Sequence, residues 1–276
     1  MSISAKDVMT LRERTGAGMM DCKKALAEAN GDFDLAVDIL RKKGQKVADK
    51  RADREANQGM AVIQLNEDGT KAAALILSCE TDFVARNEEF FGNAKDFCAL
   101  AFNNKINDAE TLGALTLTSG ITVQQRIDEL TGKIGEKISV SKCVYMESTG
   151  QIVGYVHPGN QVVTLVEFTG KIDAAVGRDV AMQAAAMKPV AATRAQVSEA
   201  MLAKEFEIAK EQLINEGKPA EIAEKAAQGK VRRFYEESVL AEQKFVKDSG
   251  ISVSQYLKNQ KAPEIVDFRR LGVGAN

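Results

Sequence analysis

The chain has no tryptophan, a single histidine at position 157, and only 5% aromatic residues over its 276 positions. Its four cysteines, Cys22, Cys79, Cys98 and Cys143, are widely spaced, with no C-x-x-C pair among them. One histidine cannot complete a usual zinc ligand set with them, so no metal site is expected. Four free thiols point instead to a reducing compartment. An excess of either charge is also missing: 37 basic against 39 acidic residues leave a net charge of −2. That balance gives no electrostatic footprint for nucleic acid. No apolar run approaches the length of a membrane span, and Met1–Asp7 does not read as a leader. A cytoplasmic location is expected.

A phosphate loop is absent as well. Thr15-Gly16-Ala17-Gly18 precedes a helical pattern, but it has no preceding strand and no third glycine. Gly229-Lys230 is followed by Val231, which breaks the other phosphate-binding pattern. The chain is therefore expected to bind no nucleotide itself and to carry no cofactor. The two early glycines read as a tight turn between helices, leaving Met19 and Met20 either in the core or exposed as an adaptable contact.

What is present is ordinary for a globular chain: 45% hydrophobic and 28% charged residues, at a length suited to two or three domains. Residues 4–44 read as three short helices. Ser4 and Asp7 cap the first, which stops at Gly16, with Val8 and Leu11 on one face. The second carries Met19, Cys22 and Leu26 at helical spacing and ends at Asn30-Gly31. Asp32 caps the third, whose Leu35, Ile39 and Leu40 are expected to face inward before Gly44. From Gln45 to Gln58 charges dominate, and Arg51 with Glu55 has the spacing of a pair along a connecting helix.

Two later stretches share one order of elements. Gly59–Leu65, a turn at Asn66–Gly69 and Ala72–Cys79 form a hairpin leading into a helix through Phe102. Gly150–Val156, a turn at His157–Asn160 and Gln161–Phe168 do the same before a helix from Ala174 to Met187. This order argues for two related α/β halves. Between them lie a helix, Ile121–Lys133, the turn Lys133-Ile134-Gly135-Glu136, and a strand, Lys137–Tyr145. Beyond Pro189, Leu202, Phe206, Ala209 and Leu213 form one seam, and Ile222, Ala226, Val231 and Phe234 another. Gly217-Lys218-Pro219 separates them, so an antiparallel helical hairpin is expected. The fold expected is α+β, divided at 1–55, 56–146, 147–195, 196–240 and 241–276.

The stretch Ser78–Phe90 is the most unusual. After the apolar strand, Asn87-Glu88-Glu89 reads as a helix cap with an acidic first turn. The intervening loop has no glycine or proline, and it carries Asp82 and Phe83 where turn residues would be usual. By pattern alone Phe83 either staples back onto the following helix or stands out as a contact.

Two motifs carry a resemblance: Thr81-Asp82-Phe83-Val84-Ala85-Arg86-Asn87, and, upstream, the run Leu11 to Leu26 containing Thr15-Gly16-Ala17-Gly18-Met19-Met20-Asp21-Cys22. Both resemble the bacterial elongation factor Ts family, and the likeness extends from the first helix to near the C-terminus. The resemblance implies a non-enzymatic guanine-nucleotide exchange factor in protein biosynthesis, with elongation factor Tu, a GTPase, as partner. It implies a ubiquitin-associated-like N-terminal bundle that docks on that GTPase, a two-part α/β core and a protruding coiled coil. It implies that Thr81, Asp82, Phe83 and Val84 form a wedge that displaces the partner's Mg²⁺. It implies further contacts through Arg12, Met19, Met20, Ile134, Gly135 and His157. Arg51 stands where many members have lysine, which keeps the charge and changes its geometry. Two rivals are an enzyme with a Cys79–His157 pair, which has no third group to orient it, and a helical scaffold without effect on nucleotide.

Overall fold

The computed structural model describes residues 3–274 and has an α+β fold in two units. Met1 and Ser2, within the stretch read for a leader, and Ala275 and Asn276, at the end of the last expected segment, lie outside the described residues.

Of the described residues, the first unit comprises 3–64, 73–145 and 272–274. It begins with three helices, α1 (Ala5–Thr15), α2 (Met19–Glu28) and α3 (Phe33–Arg51). Ser4 and Asp7 make the expected reciprocal cap on α1, and Gly16 ends it in a left-handed conformation. Their small core is Val8, Leu11, Cys22, Ala25, Leu26 and Ala36. Leu35, expected to face inward, is 48% exposed, and of the two alternatives for Met19 the exposed one holds, at 46%. Ala36 takes the inward place on α3, because a methyl suits the close approach of three short helices.

The third helix does not stop at Gly44. It continues through the charged stretch as one helix of 19 residues, and Arg51 turns away from Glu55 to pair with Glu80. Gly44 is a crossing point rather than an end. Strands β1 (Gln58–Leu65) and β2 (Lys71–Cys79) lead to helices α4 (Asp82–Ala85) and α5 (Glu88–Asn104). Then follow α6 (Ala109–Ala114), which periodicity did not reveal, α7 (Val123–Ile134) and strand β3 (Ser139–Glu147). A Cβ added at Gly132 of α7 would lie 2.6 Å from the Cα of Gly44, and one at Gly44 would lie 2.8 Å from the Asp128 carbonyl oxygen. Only two glycines permit α3 and α7 to approach so closely.

The sheet runs β1-β2-β3, with β2 central and buried from Ala72 to Cys79. Phe90, Phe97 and Cys98 of α5 and Leu130 of α7 pack with Leu75 and Leu77 of β2. Burial on this scale explains why the strand reads as a continuous apolar run without alternation.

The second unit, 65–72 and 146–271, has its own sheet. It contains β4 (Gln151–Val156), β5 (Val162–Phe168) and helix α8 (Ala174–Met187). The antiparallel pairing of β4 and β5 runs from Gln151 opposite Phe168 to Val156 opposite Val163. Helices α9 (Glu199–Asn215) and α10 (Ala220–Ser238) form an excursion whose two ends are bridged at Ala191 and Val239. Their seam is Ala209, Leu213, Ala223 and Ala227, flanked by Phe206 and Ala226. Ile222, expected in that seam, is 55% exposed, because the fully buried Ala223 and Ala227 let the helices approach along a narrower line. Short strands β6 (Lys244–Phe245) and β7 (Asp248–Ser252) precede α11 (Val253–Asn259) and β8 (Ile265–Gly272). Strand β8 joins β5 to give the order β4-β5-β8.

The glycine crossing makes a direct prediction. Gly132→Ala should destabilise the chain by about 1–3 kcal/mol, since overpacking outweighs the better helix propensity of alanine. Gly92→Ala in α5, where an added Cβ meets nothing within 4 Å, should instead stabilise it by roughly 0.5–1 kcal/mol. Urea melts of both variants check the contrast.

Candidate functional site

Strand β2 ends at Cys79, and α4 is a single turn of four residues, Asp82–Ala85. An isolated turn of helix is unstable, so this one has to be held by its surroundings. On one side Val84 packs on the core of the first unit and Ala85 is buried within it. Phe83, between Asp82 and Val84, points the other way and is 83% exposed. The staple alternative is thereby settled: Phe90 of α5, and not Phe83, fills the core.

A second support comes from the turn after α7. Gly135 closes that helix at φ +82°, a left-handed conformation that suits glycine, and Glu136 follows. The Glu136 carboxylate accepts from the Thr81 backbone N–H at 3.0 Å and from the Thr81 hydroxyl at 2.7 Å. Thr81 occupies the cap position of α4, yet its side chain makes no capping bond there. The hydroxyl is committed to Glu136 instead.

The grip is reciprocal. Glu80, just before Thr81, accepts from the Lys137 backbone N–H at 2.6 Å, just after Glu136. The same carboxylate accepts from Arg51 at 2.6 Å and from Arg54 at 3.3 Å. Lys137 in turn donates its ammonium to the carbonyls of Ala52 and Arg54, at 2.6 and 2.8 Å. The end of α3, the start of the loop and the start of β3 therefore meet on two carboxylates. The Lys137 N–H, helped by Arg51 and Arg54, holds the Glu80 carboxyl below its ordinary range against the opposing effect of partial burial. The exposed Asp82–Arg86 pair, at 2.9 Å, adds little by comparison.

Ile134 and Gly135 directly precede Glu136, which bonds Thr81, so they lie beside the start of the loop. Arg12, Met19 and Met20 lie at the α1–α2 corner, all exposed, with Met20 the most open of the methionines there at 63%. That corner sits against the last turn of α7: a Cβ at Gly16 would come within 2.5 Å of the Lys133 ammonium. His157 belongs to the second unit. It is exposed in the β4–β5 turn, and its Nδ1 shares a 3.1 Å hydrogen bond with the Tyr155 hydroxyl. Sequence reading missed Glu80, Glu136 and Lys137 as site residues, and assigned Arg51 another partner. Glu80 and Glu136 stand inside stretches singled out for other reasons, but Thr81 and Glu136 are 55 positions apart. No local pattern links them.

The cysteine alternative fails on chemistry. Cys79 is buried and donates to the Thr81 carbonyl at 3.1 Å. Burial, with the Glu136 charge adding to it, pushes its pKa up to about 12, so no thiolate forms near neutral pH. Burial raises Cys98 to about 12 and Cys143 to about 11. A cavity of about 830 Å³ in the first unit is lined by α3, α5, α7, residues 117–121 and the α1–α2 corner at Arg14, Thr15 and Ala17. Its cations are already paired, Arg126 and Lys133 with Glu89, Arg41 with Glu129, Arg14 with Asp34 and Lys43 with Asp21, so it offers an anionic ligand no free positive charge. Among the described residues no group of three His, Cys, Asp or Glu could hold a metal, and no helix is long and apolar enough to cross a membrane.

Fold and loop together define an α+β protein that holds an aromatic out to solvent on a braced turn and keeps its thiols buried and protonated. A sequence model of the family described as Elongation factor TS matches residues 80–275. The Elongation factor Ts of Christiangramia forsetii is 46% identical over 276 residues, covering 99% of each chain. That of Flavobacterium psychrophilum is 46% identical over 277 residues, again covering 99% of each. That of Amoebophilus asiaticus is 44% identical over 279 residues, covering the whole of both. The chain belongs to the elongation factor Ts family, bacterial proteins of translation elongation.

Two predictions follow from the geometry. Phe83→Ala should leave the stability of the free chain within about 0.5 kcal/mol of wild type. Phe90→Ala should cost about 3–5 kcal/mol, so paired urea melts separate the outward ring from the inward one. For Glu80 the sign follows from its depressed folded pKa. Its contribution is fully present above the ordinary value of 4.5 and is lost as pH falls through the lower folded value. Glu80→Gln should therefore cost on the order of 1–3 kcal/mol at pH 7. Melts repeated on the way down from pH 5 should show that difference shrinking.

Proposed function

We propose that this chain is the guanine-nucleotide exchange factor of elongation factor Tu. It binds the GDP-bound GTPase, disturbs the Mg²⁺ and phosphate site there, and promotes GDP release so that GTP can rebind. The observation that carries this reading is Phe83, exposed on a turn that is braced from behind. Exposing a large aromatic to water is unfavourable, and an aromatic anchor with fixed backbone is what a partner's pocket requires.

In this reading Thr81, Asp82, Phe83 and Val84 form the wedge, with the Phe83 ring as its inserted body and Asp82 as its charged edge. Ile134 and Gly135 extend the wedge surface. Arg12, Met19 and Met20 extend the contact along the N-terminal helices, and His157 makes a separate contact from its turn. Helices α1–α3 act as a ubiquitin-associated-like docking module, and α9–α10 as an inserted antiparallel coiled coil. Residues 1–55, 56–146, 147–195, 196–240 and 241–276 are then docking module, two core halves, arm and return to the core. The factor works in the cytoplasm by protein contact alone, without cofactor, nucleic acid, membrane or nucleotide of its own.

The energetics are set by linkage. A factor that lowers the partner's affinity for GDP must itself lose affinity for the GDP-bound partner by the same ratio. Mg²⁺ bridges the phosphates in GTPases of this class, so moving the elements around the ion weakens nucleotide binding without touching the base.

Stopped-flow release of fluorescent GDP from elongation factor Tu tests the proposal. The wild-type chain should accelerate release, and Phe83→Ala should slow it roughly thirtyfold while remaining folded. His157→Ala should weaken the complex only modestly. Binding without any acceleration would leave a helical scaffold, and normal exchange by folded Phe83→Ala would remove the wedge.

A further inference from the structure

We propose that Glu136 is a positioning residue for exchange: it sets the direction of Phe83 by holding Thr81 in place of the missing helix cap. The inference rests on the exchange reading above. Its structural part, the brace itself, can be tested without it.

Phe83 is 83% exposed, so its direction depends on the backbone that carries it. That backbone is one turn of helix, too short to persist alone. It is fixed on its inner side by Val84 and Ala85, whose apolar contacts are non-directional. Apolar contacts of that kind let a short turn roll about its own axis. A directional contact elsewhere on the turn removes this freedom, and Glu136 provides it with two bonds to one residue, at 3.0 and 2.7 Å. Bonds to an ionised acceptor are shorter and stronger than neutral ones, and a two-point grip fixes angle as well as distance.

The rest of the arrangement serves the same end. Thr81 is a residue type that ordinarily caps a helix with its own hydroxyl. Here the hydroxyl donates to another segment, so the loop gains tertiary placement and loses a local cap. Glu136 is aimed by Gly135, whose left-handed backbone turns the chain at the end of α7. The Lys137 N–H bound to Glu80 keeps the two segments in register on the adjoining residue. Ordering a flexible loop during association costs affinity, so a loop ordered beforehand engages its partner with less penalty.

The experiment combines Glu136→Ala and Glu136→Gln with Thr81→Val, which replaces the hydroxyl by a methyl, and Thr81→Ser, which keeps it. Far-ultraviolet dichroism and urea melts establish folding. Stopped-flow GDP release over a range of factor concentrations reads function, and hydrogen–deuterium exchange of residues 81–87 in the free chain reads the brace. Folded Glu136→Ala should show faster amide exchange there and a release rate about tenfold or more lower at limiting factor, since both charge-assisted bonds to Thr81 are lost. Thr81→Val should lose several-fold, and Thr81→Ser should match wild type. In a Phe83→Ala background Glu136→Ala should change release by much less than in the wild-type background, because the main group it positions is gone.

Wild-type release by folded Glu136→Ala, or an equal further loss in the Phe83→Ala background, overturns the proposal. If Glu136→Ala does not fold, Thr81→Val carries the same test from the other side of the bond. If wild type itself fails to accelerate release, the exchange reading falls. The brace is then decided by amide exchange alone, and unchanged exchange of 81–87 in Glu136→Gln and Thr81→Val overturns it.

Discussion

A phenylalanine ring can stay in water only if the backbone beneath it gains more by facing the core than the ring would gain by turning inward. At positions 83–85 that condition is met by dividing one short turn between two environments: Phe83 outside, Val84 and Ala85 inside. The division is stable because a carboxylate on a separate segment holds the preceding residue. Glu136 grips Thr81, Glu80 accepts from Lys137, and the loop is fixed on its polar side as well as its apolar one. Both oxygens of each carboxylate accept at least one bond, so the cost of partial burial is offset by charge-assisted bonds.

The same node reaches the N-terminal helices. Arg51, at the end of α3, pairs with Glu80, while Lys137 caps the carbonyls just beyond that helix end. Farther back, α3 crosses α7 at Gly44 and Gly132, close enough that no side chain fits between them. A helix held at a glycine crossing and at a half-buried ion pair is constrained at two points along its length. The α1–α2 corner, with Arg12, Met19 and Met20 exposed, rests against Lys133 at the end of α7. The exposed residues of the first unit therefore stand on elements tied to one another by specific contacts.

The second unit is organised around polar groups as well as apolar ones. Gln183 of α8 is fully buried and donates to Gln243 and the Lys244 carbonyl, while its own carbonyl accepts from Val246 N–H. A buried amide with every direction satisfied fixes where the returning chain must lie. That return follows the α9–α10 excursion, whose ends meet at Ala191 and Val239. An excursion closed at its base in this way leaves the strand and helix order on either side undisturbed.

Much of this was legible in the sequence because the signals are local. Ser4 and Asp7, Asp32, Asn87 and Gly135 mark helix ends by bonding with neighbours a few positions away. The continuous apolar run of β2 announces burial on both faces, and the Gly217-Lys218-Pro219 break announces a helical hairpin. The oddness of the loop at Asp82 and Phe83 was visible too, though not which way the ring points. Tertiary structure alone decided that direction, since it depends on Glu136 and on how Val84 meets the core. It also decided that Gly44 is a crossing rather than an end, because a glycine's neighbour across a helix interface leaves no periodic trace. Leu35 and Ile222 turned outward where alanines took the inner line. Hydrophobicity specifies that a residue prefers burial, but the distance between two backbones determines which side chain fits. Bonds that depend on proximity after folding, such as Arg51 with Glu80 and Thr81 with Glu136, have no sequence signature at all, because nothing in either segment alone requires the other.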